Sequence, residues 1–85
     1  MVKDGRIIGQ SQSLVVLDDD ATAHAEMSAL RDAARRVGRA GLSGATLYSS
    51  SRPCPMCEAA AFWAGIEGFH FGRAVEAGGA PRLCG

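Results

Sequence analysis

Three observations predict an α/β fold with about four strands in a mixed sheet and two main helices. Short runs of β-branched and aromatic residues alternate with two stretches of helical periodicity. Each helical stretch opens on residues suited to a helix start and closes at a glycine. The composition, 47% hydrophobic and 21% charged, suits a globular, soluble chain rather than a disordered one.

The elements follow in order. In GRIIGQSQSLVVLDDD, Ile7 and Ile8, then Val15, Val16 and Leu17, flank a Gly9/Ser11/Ser13 centre, which predicts two short strands joined by a turn. From Thr22 the apolar residues Met27, Leu30, Ala33, Ala34 and Val37 recur at three- and four-residue steps, an amphipathic helix closed at Gly38. Asp18, Asp19 and Asp20 precede it, and Arg31, Arg35, Arg36 and Arg39 crowd its end, the charge order a helix dipole favours. After the loop GRAGLSGA, TLYSS reads as a strand, and 53–64 as a second helix ended by Gly65. Pro55 suits the first helical position, which makes Cys54 the expected cap. The body EAAAFWA is apolar nearly all round, as in a buried helix. EGFHFG alternates, placing Phe69 and Phe71 on one face of a last strand. The order is strand, strand, helix, strand, helix, strand.

Eighty-five residues make one small domain, expected over 1–85, with a thin margin of stability that a metal or partner chain would widen. Nine basic and nine acidic side chains cancel, leaving no general field to gather nucleic acid or anionic membrane, so a small neutral substrate fits better. No apolar run approaches the ~20 residues of a spanning helix. MVKDGR is not followed by a secretory apolar region, and a cytoplasmic location is expected. Three cysteines, two of them in Cys54-x-x-Cys57, argue against a disulfide framework and for chemical use, as a redox pair or a metal site.

The chemistry gathers at the two helix starts. His24 and Glu26 fall in the first turn of one helix, Cys54 and Cys57 in the first turn of the other, each just beyond a strand end. Residues i and i+3 share a helix face, so both sulfurs can reach one ion at the ~2.3 Å that zinc prefers. First-turn amides favour the thiolates. With His24 as third ligand, one tetrahedral position stays open, the mark of a catalytic zinc site. Water held there would have its pKa lowered from ~15.7 toward ~7. Glu26 is the candidate to carry its proton to a ring nitrogen and on to departing ammonia.

HAE (His24, Ala25, Glu26) followed by PCPMC (53–57) resembles the signature of the zinc-dependent cytidine and nucleobase deaminases. KDGRIIG, DDDATAHAEMSALRDA and TLYSSSRPCPMCEAAAFWAGI look most like bacterial guanine deaminases, a resemblance covering about residues 3 to 72. It implies a cytidine deaminase-like three-layer sandwich, of which this chain resembles the metal-binding core. It implies zinc (Zn2+) on His24, Cys54 and Cys57, proton transfer by Glu26, a nucleobase as substrate, and a substrate contact from the Ala25 backbone. Trp63 stands where guanine deaminases also have tryptophan, and Ser13 where they have a base-holding asparagine; Ser13 lacks the paired donor and acceptor of an amide. The tRNA adenosine deaminases and cytosine deaminases share the metal motifs.

Plainer readings stand beside these. His70, between Phe69 and Phe71, is expected to be an edge or surface histidine, Cys84 a loose tail thiol, and the row Arg31, Arg35 and Arg39 a solvated face rather than an RNA contact. Phe62, Trp63, Phe69 and Phe71 are core candidates. A non-catalytic, zinc-stabilised module, its metal closed by Cys84 or His70, is the competing class. Self-association, as a dimer, is expected, because missing flanking elements should leave apolar sheet or helix surface exposed.

Overall fold

The computed structural model describes residues 1–50 and 52–72, and the backbone of 76–79. The chain begins with a hairpin of β1 (Val2–Lys3) and β2 (Arg6–Ile7), paired antiparallel with Val2 opposite Ile7. Asp4 and Gly5 between them both have positive φ, 53° and 76°. That is the two-residue turn whose twist matches the strands, and Asp-Gly is its preferred sequence. The hairpin therefore lies earlier than the sequence pattern indicates. Ile7 belongs to it, but Val15, Val16 and Leu17 form a turn, with Val16 90% and Leu17 73% exposed. Residues 14–23 close on themselves instead of joining the sheet. Leu14 N–H donates to the Ala23 carbonyl at 2.9 Å, and Asp20 N–H to that of Val15 at 3.1 Å.

Helix α1 (Ala25–Gly41) starts three residues later than expected. The Asp20 carboxylate accepts from Thr22 N–H (2.9 Å) and Thr22 Oγ1–H (2.7 Å), holding Thr22 in a turn. Gly38 leaves helical geometry at φ 75°, where the sequence predicts the end, and a short further turn carries the chain to Gly41. The Lys3 ammonium donates to the Gly41 carbonyl at 3.1 Å.

Strand β3 (Thr46–Ser49), helix α2 (Pro55–Ala64) and strand β4 (Gly68–Phe71) form a parallel crossover unit at the expected positions. Pro55 occupies the first turn, and Gly65, left-handed at φ 78°, closes the helix. A further strand, β5 (Glu76–Gly79), pairs antiparallel with β4 and was not anticipated. The mixed sheet runs β2-β1-β3-β4-β5.

Leu47 and Phe69 stand opposite each other in register and are buried, at 1% and 4% exposure, against Ala29, Leu30 and Ala33 of α1 and Ala61 of α2. Alanines on both helices let them lie close to the sheet. The next pair in register, Tyr48 and His70, points to the other face and stacks with ring centroids 5.0 Å apart. Among the described residues the helices thus cover one face of the sheet. Phe69 is core, as expected, but Phe62 and Trp63 are not: α2 buries only Cys57 and Ala61, leaving Phe62 43% and Trp63 67% exposed. A helix that is apolar all round need bury only one stripe when a single layer packs on it.

Candidate metal centre and active site

Two helix N-termini meet beyond the end of β3. His24 is the N-cap of α1 yet makes no capping bond with its side chain, which leaves the imidazole free. Cys54 caps α2 in an extended conformation, and its sulfur accepts from Cys57 N–H at 3.4 Å. Cys57, one turn in, is fully buried while Cys54 is partly exposed.

The three donors converge. His24 Nδ1 lies 3.5 Å from Cys54 Sγ and 3.6 Å from Cys57 Sγ, and the sulfurs are 3.5 Å apart. An ion ~2.3 Å from sulfur and ~2.0–2.1 Å from nitrogen in tetrahedral geometry needs S···N edges of about 3.6 Å and an S···S edge of about 3.8 Å. The triangle matches one face of that tetrahedron to within a few tenths of an ångström. His24, Cys54 and Cys57 are the one such donor group among the described residues. His70 stacks on Tyr48 instead, and Cys84 lies outside the described residues.

The helix start does not by itself make Cys57 a thiolate. Burial pushes the Cys57 thiol up to about 12, aided by its hydrogen bond with Cys54 and by the negative charge of Glu26, and opposed by a backbone hydrogen bond from Met27. Each destabilising influence acts on the anion. A dication between the sulfurs would supply the missing positive charge and draw the proton off.

Glu26, in the first turn of α1, lines a cleft of about 420 Å³ together with Ala25, Ser13 and the Leu47–Ser50 end of β3. That volume falls within the range of small-molecule sites. Three sequence-predicted substrate-side residues, Ser13, Ala25 and Glu26, are thus brought together. Trp63 does not line this cleft and sits exposed on α2 against Phe62, edge to face at 5.5 Å.

The sequence reading missed Gln10, Ser11 and Gln12, which wall the same cleft. Their position depends on Gly9. A Cβ there would stand 2.6 Å from Ala33 Cβ, 2.7 Å from Ala33 N and 2.8 Å from the Ala29 carbonyl, so only glycine lets the strap cross α1 this closely. Gln10 N–H then donates to Asp32 Oδ2 at 3.1 Å. That bond, with help from Arg36 and Arg35, holds the Asp32 carboxyl below its ordinary range. The glycine was visible in the sequence, and its reason, a helix 24 residues away, was not.

Two sheet-backed helix starts thus offer one imidazole and two sulfurs that can share one ion, with a carboxylate in a cleft nearby. Residues 1–73 match the cytidine and deoxycytidylate deaminase zinc-binding region, and the chain belongs to that family. It is 47% identical to guanine deaminase of Bacillus subtilis (strain 168) over 64 residues, 75% of this chain and 41% of that protein. It is 40% identical to the tRNA-specific adenosine deaminase of Agrobacterium fabrum over 80 residues, 94% of this chain and 53% of that one. The X-ray structure of guanine deaminase from B. subtilis superposes with a TM-score of 0.69 at 35% identity, covering 94% of this chain and 54% of that chain. The fold is therefore the cytidine deaminase-like one, and the chain spans about half the length of these relatives or less.

Proposed function

We propose that the domain catalyses hydrolytic deamination of a nucleobase or related aminated heterocycle, with a guanine-like base favoured. The observation that carries this reading is Glu26 lining a base-sized cleft while its charge is felt by Cys57 of the donor triangle. Zinc, when bound by His24, Cys54 and Cys57, supplies Lewis-acid activation of water. Glu26 takes one proton of the water at its carboxylate and passes it to the ring nitrogen, then passes the second to the leaving amine. Ala25 and Ser13 line the same cleft, where a polar ring edge would need partners.

A tRNA adenosine substrate is the second reading, favoured by the alignment over 94% of the chain with an enzyme of that name. The arginine row speaks for the free base. Of the row Arg31, Arg35 and Arg39, Arg35 pairs with Asp32 at 3.3 Å and Arg31 donates to Thr22 Oγ1 at 3.2 Å, so two of the three candidate phosphate contacts already have partners. Ammonia release from guanine, adenine, cytosine, their nucleosides and tRNA, measured for the zinc-loaded protein and for Glu26→Gln, tests the proposal. Turnover of a free base that falls by about 10²-fold or more in Glu26→Gln is expected. Zinc retained with no turnover of any substrate would overturn it in favour of a structural module.

A further inference from the structure

The donor triangle contains a second chemistry. Cys54 and Cys57 have their sulfurs 3.5 Å apart, held by a hydrogen bond from Cys57 N–H to Cys54 Sγ at a proline-started helix N-terminus. A disulfide needs ~2.05 Å, so the sulfurs must close by about 1.5 Å. Rotation about two side chains can supply that without unwinding α2, because Cys54 is already outside helical geometry at φ −71°, ψ 167°. Their exposures also differ in a useful way: Cys54 is partly exposed and Cys57 fully buried. One sulfur can meet an oxidant, and the other can reach only its neighbour.

We propose that Cys54 and Cys57 are a peroxide-oxidisable pair, and that formation of their disulfide and binding of zinc exclude each other. Cys54–SH and a peroxide ROOH give Cys54–SOH and ROH, breaking the O–O bond. Cys57–SH then attacks that sulfur, forms the S–S bond and releases water. Two thiols lose two electrons and the peroxide gains them. Disulfide sulfurs are no longer thiolate donors, so His24 is left as the one ligand of the three and the ion departs. Conversely, bound zinc occupies both sulfurs and protects them. The idea rests on the zinc site described above, but not on deamination.

The test uses the full chain with Cys84→Ser, so that two thiols remain, and hydrogen peroxide as oxidant. Zinc-loaded and chelator-treated protein are followed by intact mass, by alkylation of free thiols and by a chromophoric zinc chelator. The expected product has lost two hydrogens and both alkylatable thiols, with one zinc released per disulfide. Oxidation through the metal-free fraction makes the rate about 100-fold slower at free zinc ~100 times Kd than without zinc. Cys57→Ser should stop at a sulfenic acid on Cys54, trapped by a 1,3-dione, whereas Cys54→Ser should leave Cys57 reduced. Circular dichroism separates oxidation of the fold from oxidation of an unfolded chain; if removing the metal unfolds the protein, the zinc series alone decides. Covalent dimers or sulfinic acid as the main product, or a rate indifferent to zinc, would overturn the proposal. None of these readouts requires turnover, so a protein that deaminates nothing can still pass or fail.

Discussion

Replacing Gly9 by alanine tests whether the cleft wall is held by close backbone approach. The added Cβ would meet Ala33 Cβ at 2.6 Å, Ala33 N at 2.7 Å and the Ala29 carbonyl at 2.8 Å. Two of those three atoms are helix backbone and cannot rotate away. Ordinary contact begins near 3.4 Å, so the strap has to lift by the better part of an ångström. Overpacking of this kind costs about 1–3 kcal/mol. In a domain of this size each kcal/mol lowers Tm by about 4–8 °C, so a drop of at least ~4 °C is expected in the zinc-loaded protein by calorimetry. Lifting the strap also shifts Gln10 off the Asp32 carboxylate and moves Ser13 in the cleft. KM for the preferred base should therefore rise in the variant, while zinc stoichiometry stays at one, since none of the three ligands lies on the strap. An unchanged Tm with unchanged KM would refute the close-approach argument.

Four further outcomes concern other parts of the molecule. Zinc affinity should rise at least about tenfold per pH unit between pH 6 and 8, because the Cys57 thiol, held up to about 12, must surrender its proton to bind; chelator competition measures this, and a flat profile would contradict it. Metal-free protein should also lose stability as pH rises from about 9 toward 12, since over that interval the unfolded chain has given up a proton that folded Cys57 keeps. For Asp32 the sign is opposite: its lowered pKa stabilises the fold above the ordinary value of 3.8 and the benefit is lost as pH falls below it, so Tm of Asp32→Asn should decline less steeply between pH 4 and 2 than that of the parent. Self-association at micromolar concentration is expected through apolar surface such as Phe62 and Trp63, and should weaken in Trp63→Ser; sedimentation velocity showing a monomer throughout would dispose of it.

The parts of this site that were legible in the sequence are those written in local code. Cys54 as a cap, Pro55 behind it and Gly65 at the other end each act on neighbours within one turn, and all three stand where the residues alone put them. His24, Cys54 and Cys57 were readable as one donor set for the same reason, because two helix starts fix their places and only the meeting of the starts is tertiary. Residues 9–23 were misread where single hydrogen bonds and one close approach set their order. Val15, Val16 and Leu17 have strand-like character, but what decides their conformation is the Leu14 to Ala23 closure and the turn at Asp20. Periodicity cannot register a single hydrogen bond between Gln10 and a carboxylate 22 residues on, nor an alanine face that tolerates one glycine and no other residue. Trp63 erred in the other direction, since an all-apolar helix does not say which of its stripes the fold will use.

That division bears on substrate choice. His24, Cys54, Cys57 and Glu26 sit at two helix starts. The strap 10–13, which supplies much of the opposite wall, has no ladder or helix of its own and is positioned by Gly9 and Asp32. Side chains there can change without disturbing either helix start, because Ser11, Gln12 and Ser13 are exposed and owe the fold little burial. A guanine deaminase and a tRNA-specific adenosine deaminase both resemble this chain at 40% identity or more. Exchanging residues 11–13 as a block should then alter which heterocycle is accepted and leave zinc binding and Tm nearly where they were. A block exchange that abolished zinc binding instead would show that the strap braces the helix starts and that the two halves of the site are not separable.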